Sequence, residues 1–274
     1  MNEHWLGQLI EGAYDAAVDG NWYEWMEWLR RSMGASGGFL ARLTQEGEGS
    51  ASLPIACGSD LCSDLIRTYV AHRGQDPWYQ TAQQCTNNVI ALDAKLRRQR
   101  ARSEIATLYE QLECHFHTGV VLSSDNGHFL LTLHRGPCQN DFSPEQLEAL
   151  GQITRHLRQA LALTPFLFER VEARLNQTQL SDPHCPQAVV RANGIPAFIN
   201  EAMDDFLASS EQPFSYHQGR LAPRQPLLRR LVEQAQRQAC QRHASVKVPL
   251  GQRHLSVTPL PEQVLPDAAL WQIQ

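Results

Sequence analysis

From Phe142 to Leu163 apolar residues return every three or four positions, at Leu147, Leu150, Ile153, Leu157 and Leu161. That spacing predicts one amphipathic helix, with Glu148, Arg155 and Arg158 off its apolar stripe. Its start is marked several times over. Ser143 can cap it, Pro144 suits the first helical position, and Gln146 completes a capping box. Phe142 and Leu147 stand where a hydrophobic staple needs them. Thr164-Pro165 then predicts a kink or a break, because proline supplies no amide and its ring crowds the preceding turn. Further helix is expected from Phe166 to about Gln179.

Before that helix the period changes repeatedly. Helical spacing covers 4–19 through Trp5, Leu9, Ala13, Ala16 and Ala17, and Asp19-Gly20 breaks it. Asn21 is read as the cap of a second helix carrying Trp22, Trp25, Met26 and Leu29, ended by Gly34. Short strands are expected at 39–43 and 51–57 around a polar turn at 45–50, followed by a helix at 60–73. Asp76-Pro77 forces an extended or turn step. A strand at 88–92, a helix near 103–113 and a hairpin of 118–123 with 128–135 follow; Asp125-Asn126-Gly127 is the turn. After the long helix, Ser181-Asp182-Pro183 marks a boundary. The remainder predicts a hairpin of 188–192 and 195–199 turning at Asn193-Gly194, and helices at 201–208 and about 225–242. Strands at 245–250 and 254–260, turning at Gly251-Gln252, and a last strand at 268–273 complete it. The expected class is α+β, divided as 1–165, a helical linker at 166–182, and 183–274.

A chain of 274 residues suits two domains of ordinary size, and 42% hydrophobic with 19% charged residues is ordinary globular composition. The net charge of −5 argues against a broad nucleic-acid-binding face. No apolar run approaches a membrane span, and the acidic, tryptophan-bearing start is no signal peptide, so a cytoplasmic protein without a membrane partner is expected. Seven scattered cysteines fit reduced thiols there.

Chemistry-bearing motifs are few. Gly34-Ala35-Ser36-Gly37-Gly38 matches a nucleophile-elbow pattern, but a helix precedes it and a strand follows, the reverse of what the elbow needs. Cys114, His115 and His117 form a metal-like cluster, with His184-Cys185 far away in sequence. No second pair at recognised spacing completes it, so no metal, cofactor or catalytic residue is predicted. A small-molecule site is the better expectation. Trp78 and Tyr79 on a turn, Tyr109 on a helix and Phe116 at a strand entrance supply rings. His134 and Arg135 at the end of a hairpin supply polarity. The second domain offers Phe198, Phe206 and Phe214 with fewer polar groups. The site is therefore expected in the first domain, for a mostly apolar ligand with one polar or acidic end.

Several stretches together resemble the sensory region of LuxR-type helix-turn-helix transcriptional regulators. They are LIEGAYDAAVDGNWYEWMEWL at 9–29, MGAS at 33–36, DPWY at 76–79, LTLHR at 131–135, FSPEQLEALGQITRHLRQAL at 142–161, AFINEAMDDFL at 197–207, GRL at 219–221 and TPL at 258–260. The resemblance implies a GAF-like domain followed by a PAS-like domain, joined by a long helix. It also implies a small-molecule effector and a homodimer, and DNA binding only through a further C-terminal domain. Leu150, Leu157 and Leu161 are the expected dimer or connector positions. Arg155 departs from the proline often found before the connector histidine, and Met203 replaces a usual small residue. The 14 residues after Leu260 are too few for a helix-turn-helix domain, which is expected to be trimmed or lost. The alternatives are the input region of a sensor kinase or cyclic-nucleotide signalling protein, a small-molecule enzyme with or without a metal, and an interaction scaffold.

Overall fold

Where the sequence alternates, the chain builds two five-stranded antiparallel sheets. The computed structural model describes residues 3–43, 55–57, 63–124, 127–178, 180–208, 212–217, 219–261, 264–265 and 267–274. They divide into two compact units, Met1–Leu163 and Thr164–Gln274. The expected turn at 45–50, the start of the second strand and Asp125-Asn126 lie outside the described residues.

The first unit opens with helices α1 (Glu3–Asp19) and α2 (Trp22–Ser32). Strands β1 (Gly37–Leu43) and β2 (Ile55–Cys57) follow, then α3 (Ser63–His72), a single 3-10 turn and α4 (Pro77–Gln84). Next come β3 (Ile90–Ala91), α5 (Ala94–Arg100), α6 (Ala106–Gln111), β4 (Phe116–Ser124) and β5 (Gly127–Arg135). The strand order is β2-β1-β5-β4-β3, and every pairing is antiparallel.

Helix α7 (Pro144–Gln177) starts as its sequence predicts. The Ser143 amide donates to Gln146 Oε1 at 3.0 Å, and the Gln146 amide donates back to Ser143 Oγ at 3.3 Å. The expected break at Thr164-Pro165 does not end the helix. Proline removes one backbone bond at a cost of about 3 kcal/mol. Apolar positions are anchored on both sides of it, Leu157 and Leu161 in the first unit and Val171 and Leu175 in the second. Burying each such leucine or valine stabilises by roughly 1.5–3 kcal/mol.

The stripe Leu150, Ile153, Leu157 and Leu161 is at most 2% exposed and packs with Leu9, Trp25, Met26, Leu29 and Leu131 in the first unit's own core. The expected dimer or connector positions Leu150, Leu157 and Leu161 thus have their side chains in the first unit's own core. Three further expectations change. Asn21 makes no side-chain cap bond to α2. Asp76-Pro77 begins a helix, so Trp78 and Tyr79 lie in a helical first turn. Residues 94–111 hold two short helices where one was expected.

The second unit holds β6 (Gln187–Arg191), β7 (Pro196–Ile199), α8 (Glu201–Ala208), β8 (Phe214–His217) and β9 (Arg220–Pro223). Helix α9 (Pro226–Arg242) and strands β10 (Val246–Leu250), β11 (Arg253–Pro259) and β12 (Ala268–Ile273) complete it. Gly194 at φ +84° makes the predicted turn between β6 and β7. The sheet order is β10-β11-β12-β6-β7, with β8 and β9 as a separate ribbon that alternation did not reveal. Counting the sheet strands within each unit, both sheets read 2-1-5-4-3. Gln236 on α9 ties the core together: its amide donates to the carbonyls of Val190 and Arg191 at 2.8 and 3.1 Å, and its oxygen accepts from Trp271 Nε1 at 2.6 Å.

Candidate functional site

Strand parity sorts the expected site residues. In the β4–β5 register His117 stands opposite His134, and Phe116 stands opposite Arg135. Side chains alternate between faces, so the two pairs face opposite ways. One face carries His117, Gly119 and Val121 against Leu130, Thr132 and His134, and Val121 and Leu130 pack with side chains of α3 to α6. The other carries Val120, Leu122, Leu131 and Leu133, packed against α1, α2 and α7.

Phe116 and Arg135 belong to this second face and leave the candidate site. The two terminal nitrogens of the Arg135 guanidinium are used locally. They donate to the backbone carbonyl of Met33, to those of Asn140 and Asp141 at 2.9 Å each, and to Gln146 Oε1 at 3.2 Å. The guanidinium also lies 4.2 Å from the Phe142 ring centroid. Arg135 therefore fastens the end of α2 and the start of α7, and its Nε is buried without a hydrogen-bond partner.

On the first face a polar cluster forms around a residue that sequence reasoning passed over. Asp76 caps α4: its Oδ1 accepts the Trp78 amide at 3.0 Å, and Pro77 takes the first helical position. Its Oδ2 accepts hydroxyls from Tyr69 at 2.8 Å and Tyr109 at 2.6 Å. Asp76 is 0% exposed. Burial raises its carboxyl from the ordinary value, opposed by the Tyr109 and Tyr69 hydroxyls, the Trp78 amide and the charge of Arg100. Both tyrosines are pushed well above the usual phenol value, Tyr69 by burial and then the Asp76 charge, Tyr109 by burial and then Tyr69. Both therefore keep their protons and donate.

His117 closes the cluster. Its Nδ1 is 3.4 Å from the Tyr109 hydroxyl, and its ring lies 4.2 Å from that of Trp78 and 5.6 Å from that of Tyr109. Burial, with help from the charges of Arg100 and His134, holds it well below the usual histidine value, so the imidazole is neutral. Because Tyr109 gives its only proton to Asp76, the bonding assigns a proton to His117 Nδ1 and leaves Nε2 as an acceptor. Arg100 stacks 4.2 Å over Tyr109 and donates to the Cys114 carbonyl at 3.0 Å. The Cys114 thiol is pushed up to about 12 by burial, so it is no nucleophile at neutral pH.

Gly119 makes the close packing possible. A Cβ there would stand 2.2 Å from the Leu131 carbonyl oxygen and 3.1 Å from the Trp78 ring. Phe39, Tyr69, Trp78, Val121 and Leu130 supply the apolar wall. A carboxylate accepts about four hydrogen bonds, and three of Asp76's are used. The cluster thus offers one carboxylate lone pair, an imidazole nitrogen and a guanidinium edge beside aromatic rings, the composition of a small-molecule site.

Of the six expected ligand residues, Trp78, Tyr109 and His134 lie on this face and Tyr79 packs in the same cluster of side chains, its hydroxyl held by Arg73 at 3.3 Å. Asp76, Tyr69, His117 and Arg100 were missed. The Asp-Pro pair was the available signal, since it is a helix cap and first position as well as a turn. The metal-like cluster separates: His115 is exposed ahead of β4, whereas His117 is buried within it. Among the described residues no group of three or more histidine, cysteine or acidic side chains is placed to hold a metal. His184 and Cys185 line an open cleft in the second unit, with Asp182 and Arg253.

Fold and site define a mixed helix-and-sheet protein with a buried polar cluster on one sheet face. No protein-family model matches the sequence, and no curated protein matches it significantly. Solved structures similar to it include the N-acylhomoserine lactone-dependent LuxR-family transcription factor CepR2 from Burkholderia cenocepacia. Identity is 11%, covering 59% of this chain and 97% of that one, with a TM-score of 0.42. The VqsR LBD domain from Pseudomonas aeruginosa is 16% identical over 59% of this chain and 96% of that one, at a TM-score of 0.41. The third GAF domain of Slr1393 from Synechocystis is 13% identical over 63% of this chain and 99% of that one, at 0.36. At these scores the likenesses carry no conclusion about this chain's activity. Among the described residues no helix is long and apolar enough to cross a membrane.

Proposed function

We propose that this chain is the ligand-sensing region of a LuxR-type transcriptional regulator, a GAF-like domain followed by a PAS-like domain with α7 as the joining helix. The order of the resembling stretches supports the family, and the shared 2-1-5-4-3 strand order supports the two domain types. The proposed chain is a cytoplasmic homodimer that reaches DNA only through a further domain. It is a binding module, not an enzyme.

The observation that carries the reading is the buried Asp76 carboxylate, held by Tyr69 and Tyr109 between the first unit's sheet and its short helices. The opposite face of that sheet packs an apolar core, and this face collects polar groups beside aromatic walls. A mostly apolar small molecule lies along Phe39, Trp78 and Leu130 and places its polar end at His117 and Arg100, across the Tyr109 ring from Asp76. In the arrangement described, the tyrosines bond to Asp76 themselves, so entry requires α3 to α6 to part from the sheet. The ligand shifts the population only by its differential affinity for the two arrangements.

Native mass spectrometry of freshly purified protein should reveal a co-purified small molecule. Added back to stripped protein, that molecule should raise the melting temperature. Trp78→Ala should lose most of this shift, whereas Phe206→Ala should keep it. If only Phe206→Ala weakens binding while all variants stay folded, the ligand sits in the second unit and this assignment fails.

A further inference from the structure

We infer that Arg100 is the specificity-determining residue of this site and selects a ligand whose polar end is a carboxylate; the inference rests on the ligand-binding reading above. Five basic residues fall within 95–102, and only one is brought inside. Lys95, Arg98 and Arg102 are exposed, and Arg97 reaches Asp141 at 3.8 Å and the Phe116 ring at 5.0 Å. Arg100 is 7% exposed. Burying a guanidinium is costly unless a partner neutralises it.

The partners Arg100 has do not neutralise it. They are the Cys114 carbonyl at 3.0 Å, the face of the Tyr109 ring at 4.2 Å and the Cys114 sulfur, a weak acceptor, at 4.0 Å. Among the described residues no carboxylate pairs with it within 4.0 Å. Asp76 acts on it only through space, because Tyr69, Tyr109 and the Trp78 amide occupy the Asp76 oxygens. A guanidinium carries five N–H donors in a planar fork that matches a carboxylate in two parallel bonds. Two of those five donors are used, one on each terminal nitrogen, and three remain on a guanidinium that stacks over the Tyr109 ring. A ligand carboxylate completes the pair. Asp76 repels that carboxylate across the Tyr109 ring and so limits its affinity without abolishing it.

The test titrates the whole chain with decanoate and, separately, with decanamide near pH 7.5, following tryptophan fluorescence. The two probes share an apolar tail and differ in head charge. Decanoate should bind at least about tenfold more tightly. Arg100→Gln should erase that preference and leave decanamide affinity within about threefold. Arg100→Lys, which keeps the charge but not the fork, should fall between, and Asp76→Asn should strengthen decanoate. Decanamide binding as tightly as decanoate to the unaltered chain overturns carboxylate selection and leaves the ligand site standing. An unchanged preference in Arg100→Gln overturns the role of Arg100. Binding of neither probe also overturns the inference, and the ligand-binding reading is then decided by its own co-purification test. If Arg100→Gln does not fold, the wild-type preference and Arg100→Lys decide.

Discussion

Lowering the pH should destabilise the first unit through one buried group, His117. Its imidazole is 3% exposed and is held well below the ordinary value of 6.5, first by burial and then by the charges of Arg100 and His134. The groups facing it are Tyr109, Trp78, Arg100 and His134, with Asp76 beyond the Tyr109 hydroxyl. A depressed folded-state value means that the unfolded chain takes up the proton first. The stability linked to His117 is therefore complete above about pH 6.5 and is lost as the pH falls toward the folded-state value. One proton taken up only by the unfolded chain is worth about 1.4 kcal/mol per pH unit, which gives roughly 2 kcal/mol between pH 7.5 and 5.0. Urea denaturation at several pH values measures it, read by tryptophan fluorescence. Five of the six tryptophans, Trp5, Trp22, Trp25, Trp28 and Trp78, belong to the first unit. His117→Asn is the control: it is less stable at every pH and lacks the His117 slope, because the titrating imidazole is gone. Asp76, whose carboxyl is raised, works the other way: its contribution is full below the unfolded value near 3.8 and falls as pH rises through the folded one. It is present in both proteins and cancels in the comparison. Parallel pH profiles for the two proteins would refute the reasoning.

Three other outcomes follow from the same geometry. Tyr69→Phe and Tyr109→Phe each remove one donor from a buried carboxylate and should cost roughly 1.5–3 kcal/mol in urea denaturation. Because both bond the same Oδ2, the double variant should depart from the sum of the two. Gly119→Ala places a methyl group 2.2 Å from the Leu131 carbonyl oxygen and should destabilise the unit by several kcal/mol; a change within about 0.5 kcal/mol would show that β4 and β5 separate freely there. Leu150→Asp and Leu157→Asp put a carboxylate at 0% exposed positions and should unfold the first unit. A folded monomer by circular dichroism and light scattering would support the dimer seam.

Local patterns were legible in the sequence, and distant contacts were not. The β4–β5 hairpin, the α7 capping box and strand 268–273 each depend on residues within a few positions of one another, and each stands where its sequence signal placed it. Helix α4 was hidden because Asp-Pro marks a turn as readily as a helix start, and its interior is rich in glutamine. Asp76 becomes a site only through Tyr69 and Tyr109, and the latter lies 33 positions away. Phe116 and Arg135 were grouped with His134 by nearness in sequence, although a step of one along a strand reverses the face. Arg100 was concealed within a basic run. Only the unpredicted α5, capped by Asp93 through the Leu96 amide at 2.7 Å, turns one of those arginines inward.

The adjacency of His134 and Arg135 bears on how the proposed sensor transmits its state. His134 stands on the face that holds Asp76 and His117, directly across from His117. Arg135, one residue on, reaches through the opposite face to the Met33 carbonyl at the end of α2 and to Gln146 in the α7 capping box. No chain of side chains is needed to connect the two faces, because the β5 backbone is common to both. Strand β5 is held by β1 on one side and β4 on the other along seven and nine register pairs, so its end moves only with the sheet. A ligand that shifts the sheet relative to α3 to α6 therefore moves the Arg135 anchor as one piece with it. The start of α7 follows, because its cap residue Gln146 bonds both Ser143 and Arg135. In this arrangement Arg135 ties the start of α7 to the end of α2, and His117 and His134 stand on the other side of the same sheet.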